Sequence, residues 1–108
     1  MLTSATRILA VLALTAAASC SDGPAPLDPK ASPIVVGMAV SLTGANAAVG
    51  AELRAGTEIA EQVLNGAGGV FGRAVAVRYV DDVSEKAGAG EAVRTLLEQG
   101  AVAILGPG

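Results

Sequence analysis

The chain has 108 residues, 52% of them hydrophobic, with Phe71 and Tyr79 as its aromatic residues. Seven Lys and Arg stand against ten Asp and Glu, for a formal net charge of −3. No basic patch is interleaved with aromatics, so nucleic acid is excluded as a partner on composition. A single cysteine, Cys20, and the absence of histidine rule out an internal disulfide and a Cys/His metal cluster.

Residues 1–19 read as a secretory signal peptide. Arg7 supplies the early positive charge, an apolar run spans 8–18, and small residues Ala17, Ala18 and Ser19 close it. The alternative of a membrane span fails on length, because crossing about 30 Å of hydrocarbon takes roughly 20 apolar residues and polar Ser21 and Asp22 follow at once. The Ala17-Ala18-Ser19-Cys20 sequence resembles a bacterial lipobox, although a leucine is usual where Ala17 stands. The resemblance implies acylation of Cys20 and a lipid anchor as the membrane contact. Cleavage after Ala18 or Ser19 without lipidation is the competing reading. Residues 20–32 carry Gly23, Pro24, Pro26 and Pro29 and little apolar content, the composition of a flexible tether.

The folded part is expected over 33–108. The run Ile34-Val35-Val36-Gly37-Met38-Ala39-Val40 is apolar on both faces, as in a strand buried within a parallel sheet. A loop over 41–50, rich in small polar residues and glycine, leaves its carboxyl end. In open α/β sheets that is the edge where ligands bind. A helix is predicted over 51–64, with Leu53, Gly56, Ile59 or Ala60, and Val63 or Leu64 as its packing face. Gly56 on that face predicts a close approach to the sheet, and Arg54 and Glu58 are spaced to pair. Asn65-Gly66-Ala67-Gly68-Gly69 ends the helix. Val70 and Phe71 are expected to plug the underside of the sheet.

The second strand is predicted over 74–80, with Arg78 marking a position near the sheet margin. Asp81-Asp82 closes it. As a carboxylate pair they are candidates for acid–base work or metal binding, against the simpler reading that they hold the loop and cap the next helix. That helix is predicted over 85–99, with Ser84 as N-cap and Ala89, Ala92, Val93, Leu96 and Leu97 as its buried stripe. Gly88 and Gly90 weaken its first turns. The last run, 101–105, is wholly apolar and reads as a central strand. Right-handed crossovers then give a parallel sheet of order 2-1-3. The glycine clusters do not form a dinucleotide site: 66–69 follows a helix, and 44–50 lacks the required spacing.

These motifs, in this order, resemble the branched-chain amino-acid-binding proteins of bacterial ABC transporters. The resemblance rests on Gly37-x-x-x-Ser41-x-Thr43-Gly44, Asn65-Gly66-Ala67-Gly68-Gly69-Val70-x-Gly72-Arg73, Tyr79-Val80-Asp81-Asp82 and Val102-x-Ile104-Leu105-Gly106-Pro107. It implies a type I periplasmic binding protein fold, of which 33–108 would be an incomplete first lobe. It also implies a non-enzymatic, cofactor-free protein of the periplasm or cell surface. Such a protein binds a branched-chain amino acid, an amide or a similar small solute in an interlobe cleft and delivers it to a permease. Family members take leucine, isoleucine and valine, and also amides, urea and aromatic acids.

The same resemblance points to Ser41, Thr43, Asn46, Val49 and Gly106 as ligand-binding positions. Loop capping is the structural alternative for Ser41, Thr43 and Asn46. The family often carries an aromatic where Val49 precedes Gly50, which departs from a stacking site. A sensory receptor module of the same fold, and less favourably an α/β enzyme, are the alternative functions.

Overall fold

The computed structural model describes residues 23–107. Cys20 and the predicted signal segment lie outside the described residues. Five elements follow one another: strand β1 (Ile34–Val40), helix α1 (Ala47–Gly66), strand β2 (Val75–Asp81), helix α2 (Lys86–Glu98) and strand β3 (Ala103–Leu105). The strands form one parallel sheet in the order β2-β1-β3, the class and strand order expected from the sequence.

Neighbouring residues of a strand point to opposite faces of a sheet. Met38 meets Thr57 of α1, whose hydroxyl lies 3.3 Å from the Met38 sulfur. Gly37 meets α2: a Cβ there would stand 2.9 Å from the Leu96 Cβ and 2.8 Å from the Ile104 side chain. The two helices therefore cover opposite faces of β1. This is why the strand must be apolar throughout and why its α2 face needs a residue without a side chain.

The tightest packing is on the α2 side. Leu96 is 0% exposed and clusters with Ala39, Ala92 and Ala101, ringed by Val35, Val80, Val93 and Ile104. Full burial of a leucine is worth roughly 1.5–3 kcal/mol, so this cluster is the main apolar anchor among the described residues. Leu97, expected in the same stripe, is 57% exposed. The helix presents Ala92 and Leu96 to the sheet, and Leu97, the next residue, is rotated away by the helical period.

Of the predicted face of helix α1, Leu53 stands beside Val40 and the pair Ala60 and Leu64 beside Val36, Val75 and Val77, whereas the alternatives Ile59 and Val63 and the glycine Gly56 do not meet the sheet. Ile59 and Val63 are 62% and 68% exposed, and nothing lies within 4 Å of a Cβ built on Gly56. Polar side chains add to this orientation, because Thr57, Glu61 and Asn65 all bond toward the sheet. The close approach is made at Gly50, where a Cβ would fall 1.7 Å from the Ser41 carbonyl oxygen. The helix therefore starts earlier than predicted, with its first turn laid against the end of β1. The predicted Arg54–Glu58 pair is present at 2.8 Å, and Arg54 also lies over the Tyr79 ring, 5.0 Å from its centroid.

One other expectation is overturned. Phe71 does not plug the sheet but is 99% exposed. Phe71 and Gly72 have φ of 52° and 74°, and Val70 and Arg73 exchange backbone hydrogen bonds of 2.9 and 3.0 Å around them. This two-residue turn between antiparallel partners projects its tip outward. Strand β3 pairs with β1 and forms one margin of the described sheet, as order 2-1-3 requires. Arg78 is exposed on β2, the opposite margin, as expected.

Residues 23–32, expected to be a flexible tether, are tied to the loop between α1 and β2. The Asp28 N–H donates to the Gly72 carbonyl at 2.7 Å, and Arg73 Nε donates to the Ser32 carbonyl at 2.9 Å. This docking is at the amino end of the sheet, opposite the edge described next. None of the described helices is long and apolar enough to cross a membrane.

Candidate functional site

The carboxyl ends of β1 and β2 carry two loops bound to each other through adjacent aspartates. Asp82 is 2% exposed. Its Oδ1 accepts from the Ser41 hydroxyl at 2.6 Å and from the Ser84 N–H at 3.0 Å. Buried carboxylates need such partners, because an unpaired buried charge is strongly destabilising. Asp81 points the other way. Its Oδ1 accepts from the backbone N–H of Leu42 (2.8 Å), Thr43 (3.2 Å) and Val83 (2.8 Å), and its Oδ2 accepts from the Thr43 hydroxyl at 2.5 Å. The Thr43 hydroxyl bond, joined by the three backbone N–H groups and opposed by partial burial, holds the Asp81 carboxyl below its ordinary value. The pair acts as a loop clasp, the simpler of the two readings open from sequence.

Ser84 is not the N-cap of α2. That position is Glu85, which makes no side-chain cap. Ser84 has a φ of 59°, and its hydroxyl donates to the Thr43 carbonyl at 2.8 Å and accepts from the Asn46 N–H at 3.0 Å. Its role as a cross-brace between the loops was missed from sequence. The only local signal is the Asp-Asp-x-Ser spacing, which reads equally well as a cap. Gly44, at φ 86°, turns the first loop back so that its main chain meets Val83 and Ser84.

Two hollows open on this edge. The first, about 250 Å³, is lined by Val40, Ser41, Asn46, Val49, Gly50 and Leu53. The second, about 310 Å³, is lined by Asn46, Asp82, Ser84, Glu85, Lys86, Ala89 and Pro107. Of the predicted positions, Ser41, Asn46 and Val49 come together in the first hollow. Asn46 is exposed, shared by both hollows, and makes no side-chain cap to α1. Thr43 is exposed but spends its hydroxyl on Asp81. Gly106 lies outside both linings, although its neighbour Pro107 forms part of the second. Glu85 and Lys86 enter the second hollow without having been singled out, since nothing in their local sequence distinguishes them from a solvated first turn. Among the described residues, no group of three or more His, Cys, Asp or Glu is placed to hold a metal ion.

A family model described as periplasmic binding protein matches residues 33–108. The chain belongs to the periplasmic binding protein family. Over 52 residues, 48% of this chain, it is 40% identical to the Leu/Ile/Val-binding protein homolog 1 of Brucella abortus (strain 2308). Identity and coverage are the same for the Leu/Ile/Val-binding protein homolog 3 of Brucella melitensis. In both cases the match spans 14% of the relative's length. The crystal structure of the branched-chain amino acid transporter substrate-binding protein LivJ from Streptococcus pneumoniae, in complex with isoleucine, superposes with a TM-score of 0.66 at 30% identity. That superposition covers 69% of this chain and 22% of LivJ. The β-α-β-α-β unit of this periplasmic binding protein corresponds to the N-terminal lobe of the type I fold.

Proposed function

We propose that the carboxyl edge of this sheet is one wall of a solute cleft, and that the protein is the extracytoplasmic binding component of an ABC importer. The observation that carries this reading is the position of Asn46. Its exposed amide stands between two hollows, on a loop whose other polar side chains are consumed in the Asp81–Asp82 clasp. A clasped loop with one uncommitted amide is a preorganised wall. Val40, Val49 and Leu53 make the first hollow largely apolar, which suits an aliphatic side chain. With Val49 rather than an aromatic before Gly50, stacking on a planar solute has no platform there. Each hollow is at or below the roughly 300–1,000 Å³ typical of drug-sized ligands, in keeping with a small solute such as leucine, isoleucine or valine. Family membership supports a binding role without chemistry on the solute.

Solute binding would shift the population of a closed form that a permease recognises. Acylation at Cys20 would hold the protein at the membrane. The deciding experiment is isothermal titration calorimetry of the protein with leucine, isoleucine, valine, acetamide and urea, alongside Asn46→Ala. Saturable binding of a branched-chain amino acid, weakened by Asn46→Ala, supports the proposal. Failure of all five solutes to bind a folded protein overturns it. Mass spectrometry of the membrane fraction, with Cys20→Ala as control, tests the anchor separately.

A further inference from the structure

The Asn65-Gly66-Ala67-Gly68-Gly69 segment reads from sequence as a helix stop, but the Asn65 side chain has a different occupation. Its Nδ2 donates to the Val75 carbonyl and its Oδ1 accepts from the Val75 N–H, both at 2.8 Å. One turn earlier on the same helix, Glu61 Oε1 accepts from the Val77 N–H at 3.3 Å. These are the outward groups of β2. The inward ones belong to its even-numbered neighbours: the Ala74 carbonyl accepts from Ile34, and the Asp82 N–H donates to Val40. An unpaired strand edge is a template on which another chain can add a strand.

We infer that α1 serves β2 as a surrogate neighbour strand, with Asn65 and Glu61 closing this edge of the sheet against pairing with the same edge of a second copy. The periodicities match. Four residues of helix rise about 6 Å, and two residues of strand rise about 6.6 Å. Residues four apart on a helix can therefore serve alternate strand residues when the two run in opposite directions. The contacts have that sense, since the earlier Glu61 meets the later Val77. A primary amide is the side chain that reproduces a peptide group, one donor and one acceptor in a plane, and it sits where both Val75 groups need a partner. The arrangement ends at Val77. Thr57, next in the series, gives its hydroxyl to the Leu53 carbonyl at 2.8 Å and to Met38, and Arg54 covers the Tyr79 ring instead.

The test compares Asn65→Ala, Asn65→Asp and Glu61→Ala with Val93→Ala, a trim at the core periphery remote from the edge. Thermal midpoints identify conditions of equal folded fraction. Sedimentation velocity then reads association, and hydrogen exchange reads the Val75 and Val77 amides. The expected result is a shift to faster-sedimenting species for Asn65→Ala and Glu61→Ala but not for Val93→Ala. Exchange should accelerate at Val75 in Asn65→Ala and at Val77 in Glu61→Ala. Asn65→Asp should keep Val75 protected while associating more than the unsubstituted chain. Equal association of Val93→Ala at matched folded fraction overturns the inference, because general destabilisation then explains the effect. So does the absence of association in every edge variant. If an alanine variant is too unfolded to sediment as a native species, the milder pair decides: Glu61→Gln keeps the acceptor for Val77 and should neither lose protection nor associate, whereas Asn65→Asp lacks the donor to the Val75 carbonyl, and its failure to associate more than the unsubstituted chain overturns the inference.

Discussion

The hydroxyl of Ser41 and the carboxylate of Asp82, separated by 41 positions in the chain, meet at 2.6 Å in a buried setting. This bond joins the loops that leave the two paired strands β1 and β2, and it holds the candidate binding edge in one shape. Ser41→Ala removes the donor and leaves Asp82 with the Ser84 N–H on that oxygen. Hydrogen bonds to charged groups are worth about 1.5–3 kcal/mol, so a loss of that order is expected in urea denaturation. An unchanged midpoint would show that water replaces the hydroxyl at no cost.

The Asp81 carboxyl is held below its ordinary value of 3.8, above all by the Thr43 hydroxyl, against the opposing effect of burial and with the Val83, Leu42 and Thr43 N–H groups adding to the lowering. A depressed folded-state pKa means that the unfolded chain takes up the proton first. The contribution to stability is present above pH 3.8 and is lost as pH falls through the folded value. Thr43→Val removes the hydroxyl that does most to stabilise the charged carboxylate, so the Asp81 titration should move up toward its ordinary value. Carbon-detected NMR titration of the side-chain carboxyl reads this directly, and a titration that does not move in Thr43→Val contradicts the assignment.

Gly50 and Gly56 lie on the same helix and make opposite predictions. A Cβ at Gly50 would be 1.7 Å from the Ser41 carbonyl oxygen, whereas at Gly56 it meets nothing within 4 Å. Gly50→Ala must push α1 off the end of β1, and overpacking of this kind costs about 1–3 kcal/mol or more. Gly56→Ala gains helix propensity and should stabilise by about 0.5–1 kcal/mol. Paired thermal melts of the two variants check the sign of each.

Phe71 combines a φ of 52° with 99% exposure. The left-handed region costs a side-chain-bearing residue about 1–2 kcal/mol relative to glycine, and this ring returns no burial. Phe71→Gly should therefore leave the melt unchanged or raise it by up to about 1 kcal/mol, the gain being trimmed by glycine's greater unfolded-state entropy. A substantial loss of stability would mean that the ring has a partner in solution.

The class and the order of elements were legible because they rest on local pattern. The run of β1 is apolar at both parities, and α2 places Ala92 and Leu96 at helical spacing; neither requires knowledge of a partner. Asp81 and Asp82 were legible as loop-holders for a similar reason, since acids following a strand commonly turn the chain. The face of α1 was legible only in part. Periodicity left Ile59 or Ala60 and Val63 or Leu64 open; Ala60 and Leu64 stand beside the sheet, and the bonds to it come from Thr57, Glu61 and Asn65.

In the site, the clustering of Ser41, Asn46 and Val49 follows from one short loop. The bracing by Ser84 does not, because its partners Thr43 and Asn46 lie 41 and 38 positions away. Sequence alone therefore determined the parallel α/β class and the edge on which to look for a ligand, and it pointed to the 2-1-3 order, because a run apolar on both faces calls for helices on opposite sides of β1 and right-handed crossovers then put β2 and β3 on either side of it. Tertiary structure decided which face of α1 is turned inward, that Gly50 and not Gly56 makes the close approach, that Phe71 stands in solvent, and which hydroxyls are already spent. Each of those outcomes depends on hydrogen-bond partners and steric neighbours that meet through space, and local periodicity carries no record of them.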